Sequence, residues 1–295
     1  MLQAVRTLGY RANPYARNLR AAQSRIIAVY FSNPSRNYTS EIQIGVLQRC
    51  NAEGFNAIFE QAGAGPEGLV SLRGEPDLAG VILVAPLTED PALLRRLSDA
   101  GIPFVRLAPV DAAGETGHVS MDDEAAAAEM TDYLISLGHS RIGFIAGPDD
   151  HPQARLRGAG YRAALARTGL EPEAALMAQG SFHFDSGLRA AETLLAQDSP
   201  PTAIFASNDD MAAAVLAVAY RKGLRIPQDL SVAGFDDTPL ASVVVPSLTT
   251  IYQPIREMAA QAAGMLFGKA DPDAPASSVL PHRLVVREST AAPKR

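Results

Sequence analysis

Residues 123–146 read DEAAAAEMTDYLISLGHSRIGFIA, and the change of pattern inside this stretch decides the fold. Met130, Leu134 and Leu137 recur on one helical face, Asp123 can cap the start, and Gly138 can end the helix. Ile142–Ala146 then runs without polar interruption, as a strand buried on both faces does. The same change recurs along the chain. Apolar runs at Ile26–Phe31, Phe55–Phe59, Val81–Val84, Phe104–Leu107, Ala203–Phe205 and Leu230–Ala233 are separated by amphipathic stretches. Strand and helix therefore alternate, which predicts an α/β protein with parallel sheets.

A single sheet built from all these runs would be long, so two halves are expected. Leu137–Ile142 opens a second series of units, and Pro246–Ile251 has the look of a return crossing. Asp271–Ser278, rich in proline and small residues, reads as a loop before a last strand near Leu284–Val286, and Ala291–Arg295 should fray. The expected division is an N-terminal arm at 1–25, a first subdomain at 26–138 plus 252–278, and a second at 139–251 plus 279–295.

With 295 residues and 47% apolar side chains, the chain can bury one large core or two joined ones. One cysteine, Cys50, excludes an intrachain disulfide and any multi-cysteine zinc site, and fits a reducing compartment. No apolar run approaches the roughly 18 residues of a membrane span, and residues 1–25 lack the apolar stretch of a signal peptide. A cytoplasmic protein with no membrane partner is expected. The net charge of −6 is segregated: Arg6, Arg11, Arg17, Arg20 and Arg25 stand without an acid, leaving 21 bases against 32 acids in the rest. Such an arm suits contact with phosphate, or is a solvated terminus.

Ligands of open α/β sheets sit beyond the carboxyl ends of the strands. Polar residues cluster there: Ser32 and Asn33, Asp122, Asn208 and Asp209, Asp236 and Asp237. Other chemistries are poorly supported. Gly63-Ala64-Gly65-Pro66-Glu67-Gly68 fits the glycine pattern of a dinucleotide site, but Gly74 and Pro76 would stop its helix early, and the next strand ends in Ala85-Pro86 rather than an acid. No bound cofactor is expected. No two of His118, His139, His151, His183 and His282 share metal-ligand spacing on one helix, so no metal is expected. His139 reads as a cap for the preceding helix, and His183, beside Phe182, is the histidine placed to face a ligand. A serine nucleophile elbow is absent. Leu240-Ala241-Ser242-Val243-Val244-Val245 has more apolar residues than a turn needs, consistent with a partner subunit or a buried strand end.

Two sets of residues carry a resemblance. Val5, Leu8, Gly9, Tyr10, Asn13, Ala16 and Leu19 fall on the hinge pattern of lactose-repressor-type regulators. Gly138–Ile142, Arg155–Tyr161, Ser207-Asn208-Asp209, Gly234–Asp237 and Leu248-Thr249-Thr250 match the core of the same family in order. The chain thus resembles the lactose-repressor family. The resemblance implies two Rossmann-like parallel-sheet subdomains of the periplasmic-binding-protein type I fold, preceded by a short hinge helix, with an effector cleft between them. It places Arg157, Phe182, Asn208, Asp236 and Gln253 on the ligand, with Ser32, Tyr38 and Asp122 from the first half. Arginine's planar fork, aspartate's paired acceptors and a flat aromatic face suit a carbohydrate. Without the resemblance, Arg157 reads as a surface ion pair, Phe182 as core, Asn208 or Asp236 as a cap or turn, and Asp122 as a cap of the helix that follows it. The region Gln61–Asp77 departs from the family pattern.

The same resemblance implies a homodimer involving Leu240, Val243 and Val244. It also implies a hinge of Tyr10, Arg11, Asn13, Ala16 and Leu19 that meets operator DNA, with Leu19 wedged between base steps of the minor groove. Most of the family's helix-turn-helix head would precede this segment, so the reading frame is expected to extend upstream of Met1. The expectation is a non-enzymatic, ligand-responsive regulator, in character a repressor. The alternatives are an exported sugar-binding receptor, a nicotinamide-dependent enzyme, or a short chain that binds ligand and pairs with full-length relatives.

Overall fold

The computed structural model describes residues 25–62, 78–110, 116–267 and 277–294. Its first half runs β1 (Ile26–Phe31), α1 (Arg36–Glu53), β2 (Asn56–Gln61), β3 (Gly80–Val84), α2 (Pro91–Asp99), β4 (Phe104–Leu107) and β5 (His118–Ser120). A second series follows: α3 (Asp123–Ser136), β6 (Ile142–Ala146), α4 (Pro152–Arg167), β7 (Met177–Gln179), α5 (Phe184–Leu194), β8 (Ala203–Ala206), α6 (Asp209–Arg221), β9 (Ser231–Ala233) and α7 (Pro239–Val243). The chain then closes through β10 (Thr250–Tyr252), α8 (Ile255–Met265), β11 (Ser277–Val279) and β12 (Arg283–Val285).

Two parallel sheets result, in the order β11-β5-β4-β3-β1-β2 and β7-β6-β8-β9. The runs that read as continuous apolar stretches are their inner strands: every residue of β3 and β8 is buried. An antiparallel ribbon of β10 and β12 joins the lobes. Hence the α/β alternation seen in sequence is present as two doubly covered sheets.

The crossings differ in detail from the expected boundaries. Helix α3 lies along α4 of the second lobe. The chain therefore leaves the first lobe between β5 and α3, near Asp122, and not at residue 138. Glycine explains how closely the two helices approach: a Cβ on Gly160 would stand 2.1 Å from the Glu124 carbonyl oxygen. Ser277 and Ser278, expected in a loop, belong to β11, which pairs with β5 and keeps Val279 in the first lobe. Asp122, not Asp123, caps α3 by accepting from the Ala125 N–H, and Gly138 at φ +99° follows the helix end.

His139 caps the end of α3 as expected, its backbone N–H donating to the Leu134 carbonyl at 3.3 Å, and its side chain is also a clamp. Its ring is buried between the Thr202 hydroxyl at 2.8 Å, the Ser231 hydroxyl at 3.1 Å and the Ala291 carbonyl at 2.9 Å. The Ala291 N–H also donates to Ser231, so residue 291 is tied down where fraying was expected. Arg25, the last arginine of the basic arm, is likewise docked: it donates to the Glu53 and Gly54 carbonyls and lies 5.6 Å from the Phe55 ring. The hinge residues Tyr10, Arg11, Asn13, Ala16 and Leu19, the other four arginines and the motif Gly63–Gly68 lie outside the described residues. Among the described residues, no helix is long and apolar enough to cross a membrane.

Replacing Gly160 by alanine is expected to lower stability by about 3 kcal/mol, because neither backbone can retreat without opening the α3–α4 contact. Urea unfolding of the variant against the parent measures it. A loss below about 0.5 kcal/mol, the size of an ordinary surface change, would mean that the helices separate easily.

Candidate functional site

The carboxyl ends of the strands in both sheets face a common seam, where polar side chains collect. Asn33, Ser35, Tyr38 and Ala85 line it from the first lobe, and His151, Gln153, Arg157, Phe182, Asn208 and Asp236 from the second. Ser35 caps α1, Asn208 caps α6, and Arg157 projects from α4. The space left between them is ≈ 10 Å³, room for about one water molecule. In this conformation the two walls meet.

Arg157 is the hub. Its Nε donates to Asp123 at 2.8 Å and its Nη1 to the Ser207 carbonyl at 2.6 Å. Two further bonds are longer: Nη1 to Asp236 at 3.4 Å and Nη2 to Gln253 at 3.3 Å. The guanidinium also lies 3.7 Å from the Phe235 ring centroid. Removing three charges from water is costly, and pairing offsets that cost only with good geometry. Burial pushes both Asp123 and Asp236 above the usual carboxylate range, against the downward pull of Arg157. Burial, then the neighbouring carboxylates, hold the Tyr38 phenol protonated.

Two left-handed residues shape the far wall. Phe182 sits at φ +60° and Asp236 at φ +108°, conformations that side-chain-bearing residues rarely adopt. Asn208 holds the first by donating to the Phe182 carbonyl at 3.0 Å while its own oxygen caps the Met211 N–H. Gly147 admits the Phe182 ring, since a Cβ there would fall 2.4 Å from it. The Asp236 turn is held on both sides, its N–H donating to Ile251 and its carbonyl accepting from the Gln253 N–H.

Of the residues implied by sequence, the structure brings together Tyr38, Arg157, Phe182, Asn208, Asp236 and Gln253. It does not bring Ser32, whose neighbour Asn33 takes the place on the wall, nor Asp122, which is exposed and spent on capping α3. The buried neighbour Asp123 supplies the carboxylate instead. His183 is exposed at the start of α5, so the histidine on the wall is His151, packed edge-on to Phe182 at 5.1 Å between centroids. His151 and Gln153 follow β6, and the rule that picked residues after other strands reaches them too. Gln153 donates to the Ala108 carbonyl, while its Oε1 is buried with no partner among the described residues. No cluster of three metal-ligating side chains occurs among the described residues.

A two-lobed α/β body with a polar seam between facing strand ends defines a hinged small-molecule-binding protein. A family model for a periplasmic binding protein-like domain matches residues 131–290. Catabolite control protein A of Priestia megaterium is 30% identical over 98% of this chain and 89% of its own. The transcriptional regulator CelR in complex with cellobiose has the same fold at TM-score 0.80 and 30% identity, covering 97% of this chain and 88% of that one. The lac repressor dimer bound to operator and the anti-inducer ONPF superposes at TM-score 0.83 and 28% identity, covering 96% and 100%. The chain belongs to the LacI family of transcription regulators.

Burial drives the His151 pKa down to about 3, from 6.5, with the Arg157 charge adding to it, and burial also lowers that of His139. Below pH 6.5 the unfolded chain takes up protons that the folded one refuses, so stability falls as pH drops toward 3. His151→Asn is expected to flatten this decline in a series of thermal melts. An unchanged slope would remove His151 from the account.

Proposed function

We propose that the seam is the effector site of a repressor and that its ligand is an uncharged carbohydrate. The two long bonds of Arg157, to Asp236 and Gln253, carry this reading. A ligand hydroxyl can enter between such partners and improve both contacts, accepting from the guanidinium and donating to the carboxylate. The charge of Arg157 is already met by Asp123 and Asp236. A phosphate would face those carboxylates without a free cation among the wall residues. Phe182 offers an apolar ring to a sugar face, and cellobiose stands in the complex of one relative.

Effector binding would change the angle between the lobes and so the spacing of two hinge segments, a shift between two states. In this reading Tyr10, Arg11, Asn13, Ala16 and Leu19 form the hinge on operator DNA, which places the protein in the cytoplasm. The lobes would move as bodies on either side of the β10–β12 ribbon. The twofold partner would cover α7 and its continuation: Val243 is 72% exposed and Val245 is 91% exposed, with Leu240 and Val244 half-buried beside them.

A thermal-shift panel of neutral pentoses, hexoses and disaccharides beside sugar phosphates and NAD(P) tests the ligand class. At 100 times its dissociation constant a ligand adds about 2.7 kcal/mol. At least one neutral sugar is expected to produce such a shift, lost in Arg157→Ala and Asp236→Ala. Shifts from phosphates or NAD(P) alone would overturn the carbohydrate reading. For the dimer, Val245→Asp is expected to move the sedimentation coefficient to that of a monomer at micromolar concentration; an unchanged value would place the interface elsewhere.

A further inference from the structure

One carboxylate reaches across the seam from the second lobe to the first without lining the ligand wall. Asp210, in the first turn of α6, accepts from the Ser35 hydroxyl through Oδ2 and from the Asn37 amide through Oδ1, each at 2.6 Å. Helices α1 and α6 both point their N-termini at this spot, and each terminus carries partial positive charge. Brought together without an anion, the two ends would repel. Asp210 screens both and supplies two acceptors to the first lobe. The Ser35 hydroxyl is fully used: it accepts from the Tyr38 N–H at 3.2 Å, which leaves its proton for Asp210. The Ser35 N–H in turn donates to Asn33 Oδ1 at 2.9 Å. The clasp is thus connected within one turn to Tyr38 and Asn33 of the seam.

We propose that Asp210 is a determinant of effector affinity, acting as a clasp that holds the lobes together when no ligand is between them. The proposal rests on the seam being the effector site, because with the clasp made the seam has room for about one water and none for a sugar. A ligand enters only after the clasp opens, so its apparent dissociation constant is the intrinsic one divided by the open fraction. Asp210 would therefore tune sensitivity to effector without touching it, and a weaker clasp would make a more sensitive regulator.

The test reads lobe separation without any ligand, and so separates failure of the clasp from failure of the carbohydrate reading. In full chain carrying Cys50→Ser, nitroxide labels on Arg95→Cys in α2 and Arg189→Cys in α5 report the interlobe distance by pulsed electron resonance. An excess of unlabelled chain suppresses distances between subunits. Asn37→Ala removes one bond to a charged acceptor, and is expected to raise the ratio of long to short distances at least about tenfold. Asn37→Asp places a second carboxylate against Asp210, and is expected to shift the distribution further. Adding Asp210→Asn to Asn37→Asp restores a donor opposite an acceptor with the roles exchanged, and is expected to return the short distance. Far-ultraviolet circular dichroism checks that each variant is folded. A distribution unmoved by Asn37→Asp in folded protein, or one that the second substitution fails to restore, would overturn the proposal.

Discussion

The seam depends on one buried guanidinium. Arg157 ties the start of α3 through Asp123, the end of β8 through the Ser207 carbonyl, the loop after β9 through Asp236 and the return crossing through Gln253. Four separate segments therefore take their relative positions from a single planar group whose donors point in fixed directions. The arrangement is not the most stable one available, since an apolar cluster of similar size would often serve as well or better. What the ions provide is direction. A hydrophobic seam would be satisfied by any apolar surface, whereas the polar groups of this one are satisfied only by partners that exchange donors and acceptors with them.

Such a site makes the backbone do unusual things. Phe182 and Asp236 hold left-handed conformations, and both are fixed by hydrogen bonds from residues that belong to the seam themselves. Backbone strain and helix capping at the seam are thus carried by the same side chains. Asn208 is the clearest example, because its amide caps α6 with one end and fixes Phe182 with the other. The reading of Asn208 as a cap is true of the molecule, and the same residue also stands on the seam wall.

The architecture was legible because burial on both faces leaves a plain trace: β1, β3, β6 and β8 are continuous apolar runs. The short edge strands β7 and β11 left little trace, since a three-residue edge strand needs no apolar pattern. The first crossing was misplaced by a helix because α3 has a good helical pattern whichever lobe it covers. Periodicity says that a helix has a buried face and is silent about its partner. In the site, Arg157, Phe182 and Asp236 were legible through the family resemblance, whereas the structure puts the neighbours of two loop residues at the seam. Ser32 against Asn33, and Asp122 against Asp123, are decided by which of two adjacent side chains turns inward. Asp210 had no signal at all, because its partners Ser35 and Asn37 lie more than 170 residues away.

The order in which the chain visits the lobes has a consequence for how the protein is made. The first sheet is completed by β11, at residues 277–279, and α1 is covered by α8, at 255–265. Both arrive after all four strands of the second sheet have been synthesised. During translation the first lobe therefore waits with α1 uncovered and β5 unpaired on one side, while the second lobe has nearly all its strands in hand. The half that is read first is the half whose sheet closes last, and its open strand edge is the surface that a nascent chain has to keep from its neighbours.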